Sequence, residues 1–133
     1  MIEVYIDGAS AGDPGPSGAG IFIKGHGSAE SYSIPLGIMS NHEAEYYALI
    51  HALKICVEQN YRIVSFRTDS QAVERAMEKQ FAKKDKYSAL LDEALKLVEQ
   101  LDLFFIKWVP SKQNNVADEL SRKAIQLNKI GEK

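Results

Sequence analysis

The sequence predicts an α/β fold: a five-stranded mixed sheet, three antiparallel strands followed by two parallel ones, with helices on both faces. Period-2 alternation of apolar residues opens the chain, and helical periodicity replaces it after residue 40. Short apolar runs then alternate with helical stripes, the order that builds parallel strands joined by crossovers.

Ile2 to Ile6 alternates with Glu3 and Tyr5, a strand that should stop at Asp7-Gly8. Gly8 to Gly18, with Asp13-Pro14-Gly15-Pro16 inside it, has the composition of a turn. Ala19 to Lys24 and Ser28 to Leu36 read as two further strands around Gly25-His26-Gly27, completing an antiparallel meander. A helix follows to about Glu58, with Asn41 as its expected N-cap and Ala48, Leu49, Ala52, Leu53 and Cys56 at helical spacing. Ile63 to Phe66 is a short strand, and Ser70 should cap a second helix carrying Ala72, Val73, Ala76 and Met77. Tyr87, Leu90, Leu91, Ala94, Leu95, Val98 and Leu101 form the clearest helical stripe. A last strand spans Leu103 to Val109, and a final helix from about Asn115 to Asn128 should bury Val116, Leu120, Ala124 and Leu127. No repeat or linker interrupts this order, so one domain over residues 1–133 is expected.

Composition narrows the function. With 133 residues, 45% of them hydrophobic, the chain can bury a core and is not disordered. The first residues lack the basic and apolar regions of a signal peptide, and no apolar run reaches membrane-spanning length, so a soluble, cytoplasmic protein without a membrane partner is expected, acting as a monomer. Cys56 has no partner for a disulfide and reads as a buried hydrophobe. The net charge of -2 is not the basic signature of most nucleic-acid binders. A cluster of carboxylates neutralised by cations would leave the remaining surface slightly basic.

Asp7 and Asp69 each follow a strand, where open α/β sheets place their ligands. Glu45 lies early in the first helix and Asp118 early in the last, positions from which both can point to the same sheet edge. Singly, each acid also suits a turn or a helix start. Together they make an all-oxygen donor set suited to hard cations, two of which would hydrolyse a phosphodiester. His26, His42 and His51 lack zinc spacing with one another or with Cys56, and the glycines from Gly8 to Gly20 lack the ending of a P-loop.

The wording around these acids is specific: Ile6-Asp7-Gly8-Ala9-Ser10, Asn41-His-Glu-Ala-Glu45, Thr68-Asp69-Ser70-Gln71 and Asn114-Asn-Val-Ala-Asp118-Glu-Leu-Ser121. With these motifs in this order, nearly the whole chain resembles the compact form of type 1 ribonuclease H. The resemblance implies a ribonuclease H-like fold and an endonuclease that hydrolyses the RNA strand of an RNA–DNA hybrid, leaving 5′-phosphate and 3′-hydroxyl ends. It implies that Asp7, Glu45, Asp69 and Asp118 bind two magnesium ions, for which manganese can substitute. It also implies that Asn41 and Gln71 reach the hybrid's minor groove, and that the backbone at Gly8 touches a ribose 2′-hydroxyl, the group that distinguishes RNA from DNA.

Two departures stand out. The loop Pro110 to Asn115 lacks the histidine that many relatives carry before the last acid, and Gln80 to Tyr87, with Lys83, Lys84 and Lys86, replaces a longer basic handle that grips the DNA strand. A hybrid-binding module without catalysis and a related nuclease acting on double-stranded RNA are the alternatives. The four intact acids disfavour the first, and the Asn41 and Gln71 matches disfavour a nuclease of another kind, such as an exonuclease or junction resolvase, while double-stranded RNA stays open as a further substrate.

Overall fold

The computed structural model describes residues 1–131, with side chains described through residue 128. Strands β1 (Ile2–Ser10), β2 (Gly15–Gly25) and β3 (Ser28–Met39) form the meander. They are followed by α1 (Asn41–Glu58), β4 (Ile63–Thr68), α2 (Gln71–Lys79), α3 (Asp85–Val98), β5 (Leu103–Trp108), a short 3₁₀ turn (Ser111–Gln113) and α4 (Asn115–Gly131). The sheet order is β3-β2-β1-β4-β5, antiparallel through β1 and parallel for β1–β4 and β4–β5, as expected from the sequence. No helix among the described residues is long and apolar enough to cross a membrane.

The core lies between the sheet and the α1 side, where Val4, Ile6, Ile21, Leu49, Leu53, Val64, Phe66 and Leu91 are almost wholly buried. Cys56 lies in this core, and burial pushes its thiol up to about 12. Burying each large side chain contributes about 1.5–3 kcal/mol, so this face holds the sheet and α1 together.

Three expectations need correction. First, β1 does not end at Asp7-Gly8. It continues to Ser10 because Gly8, Ala9 and Ser10 pair with Ala19, Gly18 and Ser17, and the reversal shrinks to residues 11–14. Residues of low strand propensity are needed there, since helices press on both faces of the sheet. A Cβ at Gly8 would collide with the Ala44 carbonyl of α1, and one at Gly20 would collide with the Ala117 carbonyl of α4.

Second, Ser40 rather than Asn41 caps α1. Its hydroxyl accepts the Glu43 amide at 3.1 Å, and the Glu43 carboxylate accepts the Ser40 amide at 3.2 Å. This reciprocal box satisfies two helix-end donors at once and leaves Asn41 as the first helical residue, exposed. The second cap is as expected, with Ser70 accepting the Val73 amide at 3.2 Å.

Third, α4 does not bury the face carrying Val116 and Leu127, which are 45% and 43% exposed. Of the four expected residues Ala124 alone is fully buried, together with Ala117, Ser121 and Ile125. The partner surface is Gly18 and Gly20 of β2, so small residues allow backbone to approach backbone. Gly20→Ala is therefore expected to destabilise the protein by about 1–3 kcal/mol, because the colliding atom is backbone and cannot rotate away. Urea unfolding checks this, and an unchanged midpoint would mean that α4 does not sit against Gly20.

Candidate active site

The parallel ladder between β1 and β4 ends at Ile6↔Thr68. Asp7 and Asp69 are the next residues on the two strands, so the point where β1 and β4 part sets two carboxylates side by side. Asp7 remains in the antiparallel ladder opposite Gly20, on the face covered by α4. Its Oδ2 accepts a 2.7 Å hydrogen bond from the Ser121 hydroxyl. The Asp69 backbone is held from β5, where the Trp108 indole N–H donates to its carbonyl at 3.1 Å.

Glu45 and Asp118 arrive from opposite faces. Gly8 admits α1, whose Ala44-Glu45 backbone lies directly against it. Gly20 admits α4, and the buried Asn114 ties the start of that helix to β1 by donating from Nδ2 to the Ile6 carbonyl at 2.8 Å. The Asp118 amide in turn donates to the Asn114 carbonyl at 3.0 Å, fixing Asp118 in the first turn.

Electrostatics places the four acids in one field. Burial pushes Asp7 up to about 8; the Ser121 hydrogen bond opposes this, while the charges of Asp69, Asp118 and Glu45 add to it. Glu45 is also raised, by burial first, with His42 and Ser70 opposing and Asp69 adding. Ligation is a stricter condition, requiring about 2.0–2.1 Å for magnesium, and among the described residues no three acidic, histidine or cysteine side chains are placed to hold one ion. Two acids are engaged elsewhere: Asp118 pairs with Arg122 at 2.6 Å, and Glu45 lies 3.2 Å from His42 Nδ1.

Asn41, Gln71 and Trp108 line an open depression of about 450 Å³ together with Glu45 and Asp69. The expected substrate-binding residues Asn41 and Gln71 thus flank two of the four acids. Gly8 is buried beside Asp7, and α1 packing accounts for its lack of a side chain. A second hollow of about 440 Å³ shares His42 and Ala72 with the first and is rimmed by Arg75, Lys79, Lys83 and Lys84 around Phe81. Phe81 is 63% exposed, whereas Lys86 turns to Glu43, 3.7 Å away.

Sequence reasoning missed Ser121, Asn114, Trp108 and Arg122. Ser121 and Arg122 were within reach, since positions three and four beyond Asp118 share its side of a helix. Asn114 and Trp108 act on backbone carbonyls of other strands, and no local pattern signals that.

The family model described as reverse transcriptase-like matches residues 6–124. EbsB of Enterococcus faecalis, whose name assigns it only to the hydrolases, is 43% identical over 128 residues, covering 95% of each chain. Ribonuclease HI of Halobacterium salinarum is 33% identical over 93% of this chain, which spans only 64% of that protein's length. The crystal structure of the Halobacterium RNase H1 matches with a TM-score of 0.88 at 31% identity, covering 94% of this chain and 97% of that one. LC11-RNase H1, solved in complex with an RNA/DNA hybrid, matches at 28% identity and a TM-score of 0.87, covering 95% and 97%.

The raised Asp7 carries a sign for stability. Its folded value of about 8 exceeds its ordinary value of 3.8, so the folded state binds more protons in that interval and stability falls as pH rises through it. In chelator at pH 8, Asp7→Asn is expected to melt at least about 4 °C above the parent, with the gap closing toward pH 4. Calorimetry across that range is the check; a variant less stable than the parent at pH 8 would show that Asp7 is not a strained carboxylate.

Proposed function

The chain belongs to the type 1 ribonuclease H family, and we propose that it hydrolyses the RNA strand of RNA–DNA hybrids internally, leaving 5′-phosphate and 3′-hydroxyl ends. The observation that carries this reading is the placement of Asp7 and Asp69 side by side where β1 and β4 part, the half-buried Asp7 carboxyl also feeling the charges of Asp118 and Glu45. Such a concentration of like charge opposes folding unless cations compensate it.

The donor set fits hard divalent ions. All four candidate ligands offer oxygen alone, and the one cysteine is buried in the core. Asp7, Glu45, Asp69 and Asp118 would hold two such ions, magnesium being the natural choice and manganese a substitute. When bound, the ions supply activation of the attacking water and charge compensation at the leaving oxygen.

The protein's own groups supply position. Ser121 orients Asp7, Trp108 fixes the backbone at Asp69, and Asn114 locks the turn that presents Asp118. Asn41 and Gln71 border the depression from which a minor groove would be read, and the Gly8 backbone adjoins Asp7 for contact with a 2′-hydroxyl. Arg75, Lys79, Lys83 and Lys84 would take phosphates of the DNA strand in place of a longer handle.

Magnesium-dependent cleavage of labelled hybrid, with single-stranded RNA, duplex RNA and duplex DNA as comparisons, is the direct test. Asp69→Asn should retain fold and hybrid binding while turnover falls by at least about a hundredfold, the lower range for losing a catalytic group. Near-parental turnover by that variant, or full activity in excess chelator, would rule out the proposed site.

No histidine is essential in this reading. Replacing His26, His42 and His51 together with alanine is expected to slow single-turnover cleavage by less than about tenfold, below the usual contribution of a general acid or base. A folded triple variant slowed a hundredfold would instead assign the proton work to an imidazole, His42 beside Glu45 being the one in contact with the site.

A further inference from the structure

On the α4 side of the sheet, beyond the start of that helix, the sheet surface carries a second nucleic-acid chemistry. Tyr5 faces Phe22 across β1–β2 and Arg67 across β1–β4, and Arg67 faces Lys107 across β4–β5. The Tyr5 and Phe22 rings lie 6.2 Å apart, and the Arg67 guanidinium and Lys24 ammonium stand 5.5 and 6.0 Å from the Tyr5 ring centre. Tyr5 borders two hollows of about 210 and 470 Å³, the first walled by Lys24 and Lys112, the second by Arg67 and Lys107.

The charge there is one-sided. Among the described residues Glu3 is the only carboxylate bordering either hollow, and Arg67 already neutralises it at 2.8 Å. Lys24, Lys107 and Lys112 are exposed and have no ion-pair partner among the described residues. In a chain of net charge -2, Lys24, Arg67, Lys107 and Lys112 around two aromatic rings outnumber Glu3, which stands opposite Lys24 across β1–β2, and form a local concentration of positive charge.

We propose that this surface binds a single-stranded extension of the RNA strand that is cut; the inference rests on the function proposed above. Lysines spaced around stacking rings suit a chain whose phosphates lie outside and whose bases are free to lie on aromatic faces. A duplex keeps its bases stacked inside and cannot offer one to Tyr5 or Phe22. The surface is continuous with the acids, since Tyr5 is two residues before Asp7 on the same strand face. The walls of the smaller hollow run from Lys112 to Ala117, the residue before Asp118. The strand that touches those carboxylates is the one being cleaved, so the strand that passes on to Tyr5 is the RNA.

The experiment compares KM for a short hybrid with blunt ends and the same hybrid carrying a single-stranded RNA extension at either end. For the parent protein, an extension at one end is expected to lower KM by about tenfold, the size of one stacked base. The double variant Lys24→Glu, Lys112→Glu should lose that advantage, whereas Lys24→Arg, Lys112→Arg should keep it. Lys96→Glu, Lys123→Glu, which makes the same change in net charge elsewhere, should keep it too. Fluorescence anisotropy of a labelled single-stranded oligoribonucleotide should give a log–log salt slope shallower by about 0.7 for each lysine removed. Equal KM for blunt and extended hybrids, or an advantage that survives the charge reversal, overturns the proposal. An equal advantage from a DNA extension overturns its assignment to the RNA strand. If neither hybrid is cut but the oligoribonucleotide binds and the charge reversal abolishes binding, the surface stands and the hydrolytic reading fails.

Discussion

Backbone against backbone is the constraint on which the candidate site depends. At Gly8 and Gly20 two helices reach β1 and β2 from opposite faces, so closely that a single methyl group would collide with a carbonyl on either side. Elsewhere the sheet keeps its helices away with Val, Ile and Phe side chains, and that spacing makes a core. Where the glycines stand there is no such spacer. Glu45 and Asp118, carried by those helices, are thereby brought level with Asp7 and Asp69, which the divergence of β1 from β4 has already set together.

This closeness has an electrostatic cost that the rest of the site offsets. Asp7 is half-buried among charges of its own sign, and among the described residues only the Ser121 hydroxyl compensates it directly. Glu45 and Asp118 have partners of their own in His42 and Arg122. The exposed Arg122 pair is weak by itself, but it holds the fourth carboxylate in a definite place without making that place permanent. A cation competing for Asp118 displaces a solvent-accessible guanidinium rather than breaking a buried pair.

Much of this arrangement was legible in the sequence, and the failures share a cause. Strand order, helix count and the Ser70 cap follow from periodicity and short motifs, which are local information, and the motifs named four acids whose charges the fold brings to bear on Asp7. Three readings went wrong: the end of β1, the cap of α1 and the buried face of α4. Gly8 and Ser10 read as turn residues because nothing nearby reveals the helix that requires them to be small. Val116 and Leu127 read as core because apolar periodicity normally marks the buried face. On α4 the buried face is instead a run of alanine and serine matched to glycines about a hundred residues earlier. Asn41 lost the cap to Ser40 because Glu43 sits three residues after the serine and completes a reciprocal pair.

The anchoring of α4 by Asn114 also has a consequence in time. Ribosomes release a chain from its amino end, so Asp7, Glu45 and Asp69 emerge long before Asp118. Until that helix docks, Gly18 and Gly20 lie uncovered, Asp7 lacks its hydroxyl partner, and the Ile6 carbonyl lacks the Asn114 amide. Three of the four acids are thus made well before the helix that carries the fourth, and the candidate site is assembled only when that helix docks.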